Sequence, residues 1–154
     1  MTPAGRAVDV LLIEDDPGDE LITREAFEHN KIANTLHVAR DGQEGLDFLY
    51  RRGAHQDAQR PDLILLDLNL PKYNGRQLLE MIKSDADLCD IPIVVLTTSA
   101  AEEDILRSYQ LHANAYVTKP VDLDQLFSVL RVWIARGHQG TALHQAASMT
   151  TSVQ

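Results

Sequence analysis

The segment LILLDLNLPKYNG, residues 63–75, places an ionisable residue, Asp67, at the end of an apolar run and follows it with Pro71 and Gly75. An uninterrupted run of Leu and Ile is typical of a strand that is covered on both faces. A proline and a glycine soon after such a run indicate that the strand has ended. We therefore expect the Asp67 carboxylate to emerge at the edge of a sheet and not in its core.

Similar apolar runs recur along the chain and alternate with helical patterns. The predicted strands are VDVLLI at 8–13, TLHVA at 35–39, DLILL at 62–66, IVVL at 93–96 and AYVT at 115–118. Helix starts are marked by Asp16, Asp41 and Ser99. Five β-α units in sequence predict an α/β fold, a flavodoxin-like doubly wound sheet of five parallel strands in the order 2-1-3-4-5.

Length and composition exclude several classes of protein. A chain of 154 residues fits one compact domain, and its formal net charge of -9 argues against binding to nucleic acid. The single cysteine rules out a disulfide within the chain, and no histidine or cysteine cluster has zinc-ligand spacing. Neither a signal peptide nor a membrane-length apolar run is evident, so we expect a cytoplasmic protein without a membrane partner.

Charged residues follow several of the predicted strands. EDD at 14–16 closes the first strand, Asp67 the third, Thr97 and Thr98 the fourth, and Lys119 the fifth. The carboxyl ends of parallel strands lie at one edge of a sheet, which would gather three carboxylates, a hydroxyl and an ammonium. Two like charges about 4 Å apart repel by roughly 4 kcal/mol near a protein surface, so a cation is expected among them. Mg²⁺ suits such oxygen ligands.

The motifs IEDD, LLDLNLP, LTTS and YVTKP, in this order at successive strand ends, resemble the receiver domain of two-component response regulators. The resemblance covers about residues 8–136, and 137–154 is expected to be a C-terminal tail without an output domain. It implies that Asp67 accepts a phosphoryl group from a sensor histidine kinase in an Mg²⁺-dependent reaction. The segments 50–62 and 96–120 are similar to those of small regulators paired with phytochrome-type kinases.

The resemblance also implies how the metal and the phosphoryl group are held. Asp15 and Asp67 would bind the metal directly, Glu14 would bind it through a water, and the backbone carbonyl of Asn69 would complete the set. Lys119 would contact the phosphoryl oxygens.

Further roles concern the switch that phosphorylation controls. Thr97 would move towards the phosphoryl group and Tyr116 would turn inward into the space vacated. Thr98 would lie beside the phosphoryl group and narrow access to it, since many relatives have Ala or Gly there. Asn69 and Ser99 would tune the lifetime of the phosphate. The implied function is a switch, not an enzyme, with output through protein contacts or transfer to a downstream phosphotransfer protein.

The last predicted helix has an apolar arc wider than one face. Its sequence, VDLDQLFSVLRVWIARG at 121–137, adds Val129, Val132 and Trp133 to the stripe that would face the core. A homodimer through these residues is one interpretation. A tail that folds back over the helix is the other.

Three positions have plain structural interpretations. Asp16 before Pro17 is expected to be a helix N-cap, and Gly75 a turn or helix-start residue. The acidic run 102–104 is expected to be a solvated first turn favoured by the helix dipole.

Two other functions compete with the switch. A phosphatase of the haloacid-dehalogenase type also uses an aspartate after a strand, but it requires a second carboxylate two residues on, where this chain has Asn69. A flavodoxin would need a phosphate-binding loop after the first strand, and the sequence EDDPGD there would repel the phosphate of FMN.

Overall fold

The five predicted strands form one parallel sheet. The computed structural model describes residues 8–29, 34–70, 75–108, 113, 115–119, 124 and 128. The strands are β1 (Val8–Ile13), β2 (Asn34–Ala39), β3 (Leu63–Asp67), β4 (Ile93–Thr97) and β5 (Ala115–Thr118). They pair in the order β2-β1-β3-β4-β5, which confirms the predicted fold.

Helices connect the strands. They are α1 (Pro17–His29), α2 (Gly42–Tyr50), α3 (Gly75–Ser84) and α4 (Ala100–Ser108). Asp16 Oδ1 accepts the Gly18 N–H at 2.9 Å and Asp41 Oδ1 accepts the Glu44 N–H at 2.8 Å, so these two of the three predicted helix starts are confirmed as caps. The third, Ser99, directly precedes the first residue of α4, as predicted. None of the helices in the described ranges has the length and apolar character needed to cross a membrane.

Two regions that the sequence singled out lie outside the described residues. They are the proposed dimer residues Val129, Val132 and Trp133, and the tail 137–154.

The core has two apolar layers, one on each face of the sheet. Successive side chains of a strand point to opposite faces, so Val10 and Leu12 of β1 join one layer while Leu11 and Ile13 join the other. The first layer contains Phe27 of α1, and the second is covered by α2, α3 and α4. Because both faces of the sheet are covered, every residue of β3 and β4 is buried. The strand ends are thereby fixed in place.

Gly75 allows α3 to begin directly against the segment that follows β3. Its N–H donates to the Leu68 carbonyl at 2.9 Å. A Cβ at this position would lie 2.4 Å from Leu68 Cα and 2.9 Å from the Asp67 carbonyl oxygen. Gly75 is thus a helix-start residue, as expected. Its lack of a side chain is what lets the helix pack against the backbone that carries Asp67.

We expect Gly75→Ala to lower the free energy of unfolding by roughly 3 kcal/mol, because the new methyl group would meet backbone that cannot move alone. Urea denaturation measures this change. Gly18→Ala is the matched control, because a Cβ at Gly18 would contact only Asp16 Oδ1, at the ordinary contact distance of 3.4 Å. Equal stability of the two variants would contradict the close approach at Gly75.

Candidate functional site

Three carboxylates meet at the carboxyl edge of the sheet. Ile13 of β1 pairs with Leu66 of β3, so the next residues, Glu14 and Asp67, stand side by side. One oxygen each from Glu14, Asp15 and Asp67 lie within 4.8 Å of one another. The predicted gathering of acids is therefore present. Asp67 differs from expectation in one respect: it pairs in register with Leu96 as the last residue of β3, and it is only 1% exposed.

Lys119 brings a positive charge into this cluster. Its Nζ lies 3.0 Å from Asp67 Oδ2, 3.0 Å from Glu14 Oε1 and 2.9 Å from Asp19 Oδ2. Its backbone N–H donates to the Thr97 carbonyl at 2.6 Å, which ties the end of β5 to the end of β4. Burial lowers the pKa of the ammonium, but hydrogen bonds to Asp19, Asp67 and Glu14 outweigh it and raise the pKa above its ordinary value. The group is therefore charged at neutral pH.

Asp19 is a third carboxylate partner of Lys119, and the sequence analysis did not identify it. Because α1 begins at Pro17, shortly after β1 ends, its first turn lies at the same edge of the sheet as Glu14. The short link between β1 and α1 was therefore the feature of the sequence from which the position of Asp19 could have been predicted.

Glu14 has the least favourable environment for a charged carboxylate among the three converging acids. It is 0% exposed, and its Oε1 is the only buried side-chain nitrogen or oxygen of the described residues without a well-directed hydrogen bond. Burial, together with the hydrogen bond and charge of Asp67, raises the pKa of Glu14 to about 8 despite the nearby Lys119. A buried carboxylate whose Oε1 makes only an ion pair with Lys119, next to two more carboxylates, fits a hard divalent cation. The residues present can therefore hold one.

The residues after β3 and β4 line the same edge. Asn69 donates its backbone N–H to Asp67 Oδ1 at 3.0 Å. Thr97 ends β4 and is buried, whereas Thr98 and Ser99 are exposed. The structure thus places Asn69 in contact with Asp67, and Thr97 directly after Leu96, the strand partner of Asp67. The roles predicted for Asn69, Thr97, Thr98 and Ser99 stay predictions.

Glu102 is not the purely solvated residue that its sequence context predicted. Its Oε1 accepts the Thr98 N–H at 2.6 Å, and the carboxylate also bonds to the side chain of Asn69. Burial raises the pKa of Glu102, but these hydrogen bonds prevail and lower it. The first turn of α4 is therefore joined to the segment that follows Asp67.

Tyr116 lies on β5, opposite Val95 of β4. Its side chain is half-buried, and its hydroxyl accepts the Ala113 N–H at 3.2 Å. The Arg107 guanidinium carbon lies 5.5 Å from the ring centroid. The predicted movement of this ring stays a prediction.

A buried carboxylate beside two further acids and an ammonium, at the carboxyl edge of a flavodoxin-like sheet, is the arrangement expected of a phosphoryl-accepting receiver. The sequence profile of the response regulator receiver domain matches residues 10–131. The response regulator Rcp1 of Synechocystis is 44% identical over 122 residues, covering 79% of this chain and 83% of that protein. The chain therefore belongs to the response regulator receiver family.

Solved structures agree with this assignment. The bacteriophytochrome response regulator AtBRR has a TM-score of 0.79 and 39% identity, covering 88% of this chain and 96% of that one. The phosphorylated cyanobacterial phytochrome response regulator RcpA has a TM-score of 0.70 and 45% identity, covering 80% of this chain and 89% of that one. Rcp1 in a Mn²⁺-bound form has a TM-score of 0.68 and 45% identity, covering 79% and 87%. The protein is a phosphorylation-dependent signalling receiver whose partner is a histidine kinase, and its acidic cluster suits a divalent cation.

The raised pKa of Glu14 predicts how stability depends on pH in the metal-free protein. Between the ordinary glutamate value of 4.5 and about 8, the folded state keeps a proton that the unfolded state has lost. Stability is therefore lost as pH rises through this window. We expect Glu14→Gln to reduce that loss by roughly 2 kcal/mol, as measured by urea denaturation in EDTA from pH 5 to pH 8.

Glu80→Gln is the control, because Glu80 is an exposed glutamate on α3. A Glu14→Gln variant with the same pH slope as the native chain and the control would show that Glu14 does not hold this proton.

Proposed function

We propose that Asp67 accepts a phosphoryl group from a phosphohistidine of a sensor histidine kinase, in a reaction that uses Mg²⁺. One observation carries the proposal: the buried Asp67 carboxylate lies 3.0 Å from the Lys119 ammonium and within the same 4.8 Å cluster as Glu14 and Asp15. Phosphoryl transfer requires positioning and neutralisation of oxygen charge more than covalent machinery. These groups supply both.

The transfer forms one bond and breaks one. An Asp67 oxygen forms a bond to phosphorus while the phosphorus–nitrogen bond of the donor breaks, and the imidazole leaves with that electron pair and takes a proton from solvent. Asp15, Asp67, the Asn69 carbonyl and, through a water, Glu14 would hold Mg²⁺, which would neutralise charge on the phosphoryl oxygens. Lys119 would bind a phosphoryl oxygen from the other side.

Phosphorylation would then be read by neighbouring side chains. A phosphoryl group adds about −1.5 to −2 charges and new acceptor oxygens. The hydroxyl of Thr97, at the end of β4, would bind one of them, with Thr98 beside it and Tyr116 filling the space that Thr97 leaves. Asn69 and Ser99 flank the site and would set how readily water reaches the phosphate.

The relatives support a proposal for the phosphodonor and for the location of the protein. AtBRR and RcpA are described as response regulators of a bacteriophytochrome and of a cyanobacterial phytochrome. At 39% and 45% identity, they support a phytochrome-type histidine kinase as the phosphodonor of this chain. The protein would act in the cytoplasm, where such a kinase carries its phosphohistidine. It would pass the signal on through protein contacts or to a phosphotransfer protein.

We expect Asp67→Asn to abolish labelling by acetyl phosphate and Mg²⁺, because the amide lacks a nucleophilic oxygen. Asp15→Asn is expected to weaken Mg²⁺ binding by about tenfold, since it removes one charged ligand. Intact-mass spectrometry measures labelling, and calorimetric titration measures metal affinity.

The matched control for both is Asp16→Asn, because Asp16 caps α1 and lies outside the metal cluster. Labelling that persists in Asp67→Asn would place the acceptor elsewhere. A switch takes up at most one phosphoryl group per chain, so phosphate release from phosphomonoesters over many turnovers would indicate a phosphatase instead.

We also propose that the chain forms a homodimer through Val129, Val132 and Trp133, because these residues extend the apolar arc of the last predicted helix. Analytical ultracentrifugation at micromolar concentration is expected to show a dimer that Trp133→Glu converts to monomer. Only monomer in the native chain, with and without phosphorylation, would favour the alternative in which the tail covers this arc.

A further inference from the structure

The ammonium of Lys119 is shared by three carboxylates from three different elements. Glu14 follows β1, Asp67 ends β3, and Asp19 lies in the first turn of α1. Their oxygens lie 3.0 Å, 3.0 Å and 2.9 Å from Lys119 Nζ. Glu14 and Asp67 also belong to the group whose oxygens converge within 4.8 Å, and Asp19 does not. Asp19 is therefore the one partner of Lys119 that a cation in that cluster would not share.

Asp19 is held firmly enough to act as an anchor. Its helix is capped by Asp16, and its carbonyl accepts the Thr23 hydroxyl at 2.9 Å. Its side chain is 19% exposed and that of Lys119 14%, so water screens this pair only partly. An acid in a first turn is favoured by the helix dipole wherever it points. The dipole explains the residue type but not a contact with a lysine at the end of β5.

We propose that Asp19 is a positioning residue for phosphoryl transfer, an inference that rests on the proposed function of Asp67. A lysine ammonium has three N–H donors on a flexible stem, and ordering that stem costs up to about 2 kcal/mol. Asp19 takes one donor and fixes the direction of the others. The ammonium is thereby kept beside Asp67, where the phosphoryl oxygens arrive.

Asp19 could also act in the opposite way, by competing for Lys119. The two roles predict opposite changes in the rate of phosphorylation. If Asp19 merely competed with the phosphoryl oxygens for Lys119, its removal would make phosphorylation faster. Lys119 reaches Asp67 at 3.0 Å while it is bound to Asp19, so the two contacts coexist. Coexistence favours positioning over competition.

The experiment compares Asp19→Asn with Glu20→Gln. Glu20 is the matched control because it lies in the same first turn but pairs with Arg24 and Arg40 instead of Lys119. At saturating Mg²⁺, we expect Asp19→Asn to slow labelling by acetyl phosphate by about tenfold, and Glu20→Gln to change it by less than about twofold. Mg²⁺ affinity, measured by titration without phosphodonor, is expected to change by less than about threefold in both variants.

A double-mutant cycle with Lys119→Met separates positioning from a structural effect. In that background, Asp19→Asn is expected to cause no further slowing, because the group it positions is gone. Faster labelling of Asp19→Asn, equal slowing by Glu20→Gln, slowing that persists in the Lys119→Met background, or a loss of Mg²⁺ affinity as large as the loss of rate would each overturn the inference.

The two proposals fail in different ways. A native chain labelled at Asp67 together with an unaffected Asp19→Asn variant overturns only the role of Asp19. A native chain that is not labelled, or is labelled at another residue, overturns the proposed function and this inference with it.

Discussion

The structure depends on one electrostatic constraint: buried carboxylates at the edge of the sheet are held by the ammonium of Lys119. Glu14 and Asp67 are 0% and 1% exposed, and burying one unpaired carboxylate costs several kcal/mol. Lys119 contacts both, and Asp19 completes its set of partners. The metal-free site is therefore a strained arrangement in which negative charge exceeds positive charge. Such a site favours a cation and responds strongly to any change in charge on Asp67.

The fold places these charges by backbone geometry alone. Parallel pairing of β1 with β3 brings Glu14 beside Asp67, and β5 next to β4 places Lys119 within reach of both. Two apolar layers prevent the strands from sliding, since a shift of one residue would turn every core side chain to the wrong face. The close approach of Gly75 then fixes the segment after Asp67 against α3. The packing of the two apolar layers and of Gly75 therefore both stabilises the fold and positions the charged residues of the site.

Backbone features and the gathering of charges at the strand ends could be predicted from the sequence, whereas side-chain contacts made by residues of the helices could not. Apolar runs gave the five strands and their order, and Asp16 and Asp41 marked helix starts because local hydrogen bonds decide caps. The strand ends then showed that Glu14, Asp15 and Asp67 converge. The pairing of Asp19 with Lys119 joins residues 100 positions apart, through side chains whose rotamers no periodicity reports. For the same reason Glu102 was interpreted as solvated, although it bonds across to Asn69.

The contacts around Asp67 explain how a local change in charge can reach the surface of the domain. Asn69 donates its N–H to Asp67, its side chain bonds to Glu102, and Glu102 accepts the N–H of Thr98 at the start of α4. A phosphoryl group on Asp67 adds charge and bulk beside the first of these bonds. Asn69 therefore contacts both the Asp67 carboxylate and the first turn of α4, which Glu102 also joins to Thr98. The beginning of α4 is thus bonded to the segment that follows Asp67, so a change of charge at Asp67 acts on two elements of the domain and not on one side chain alone.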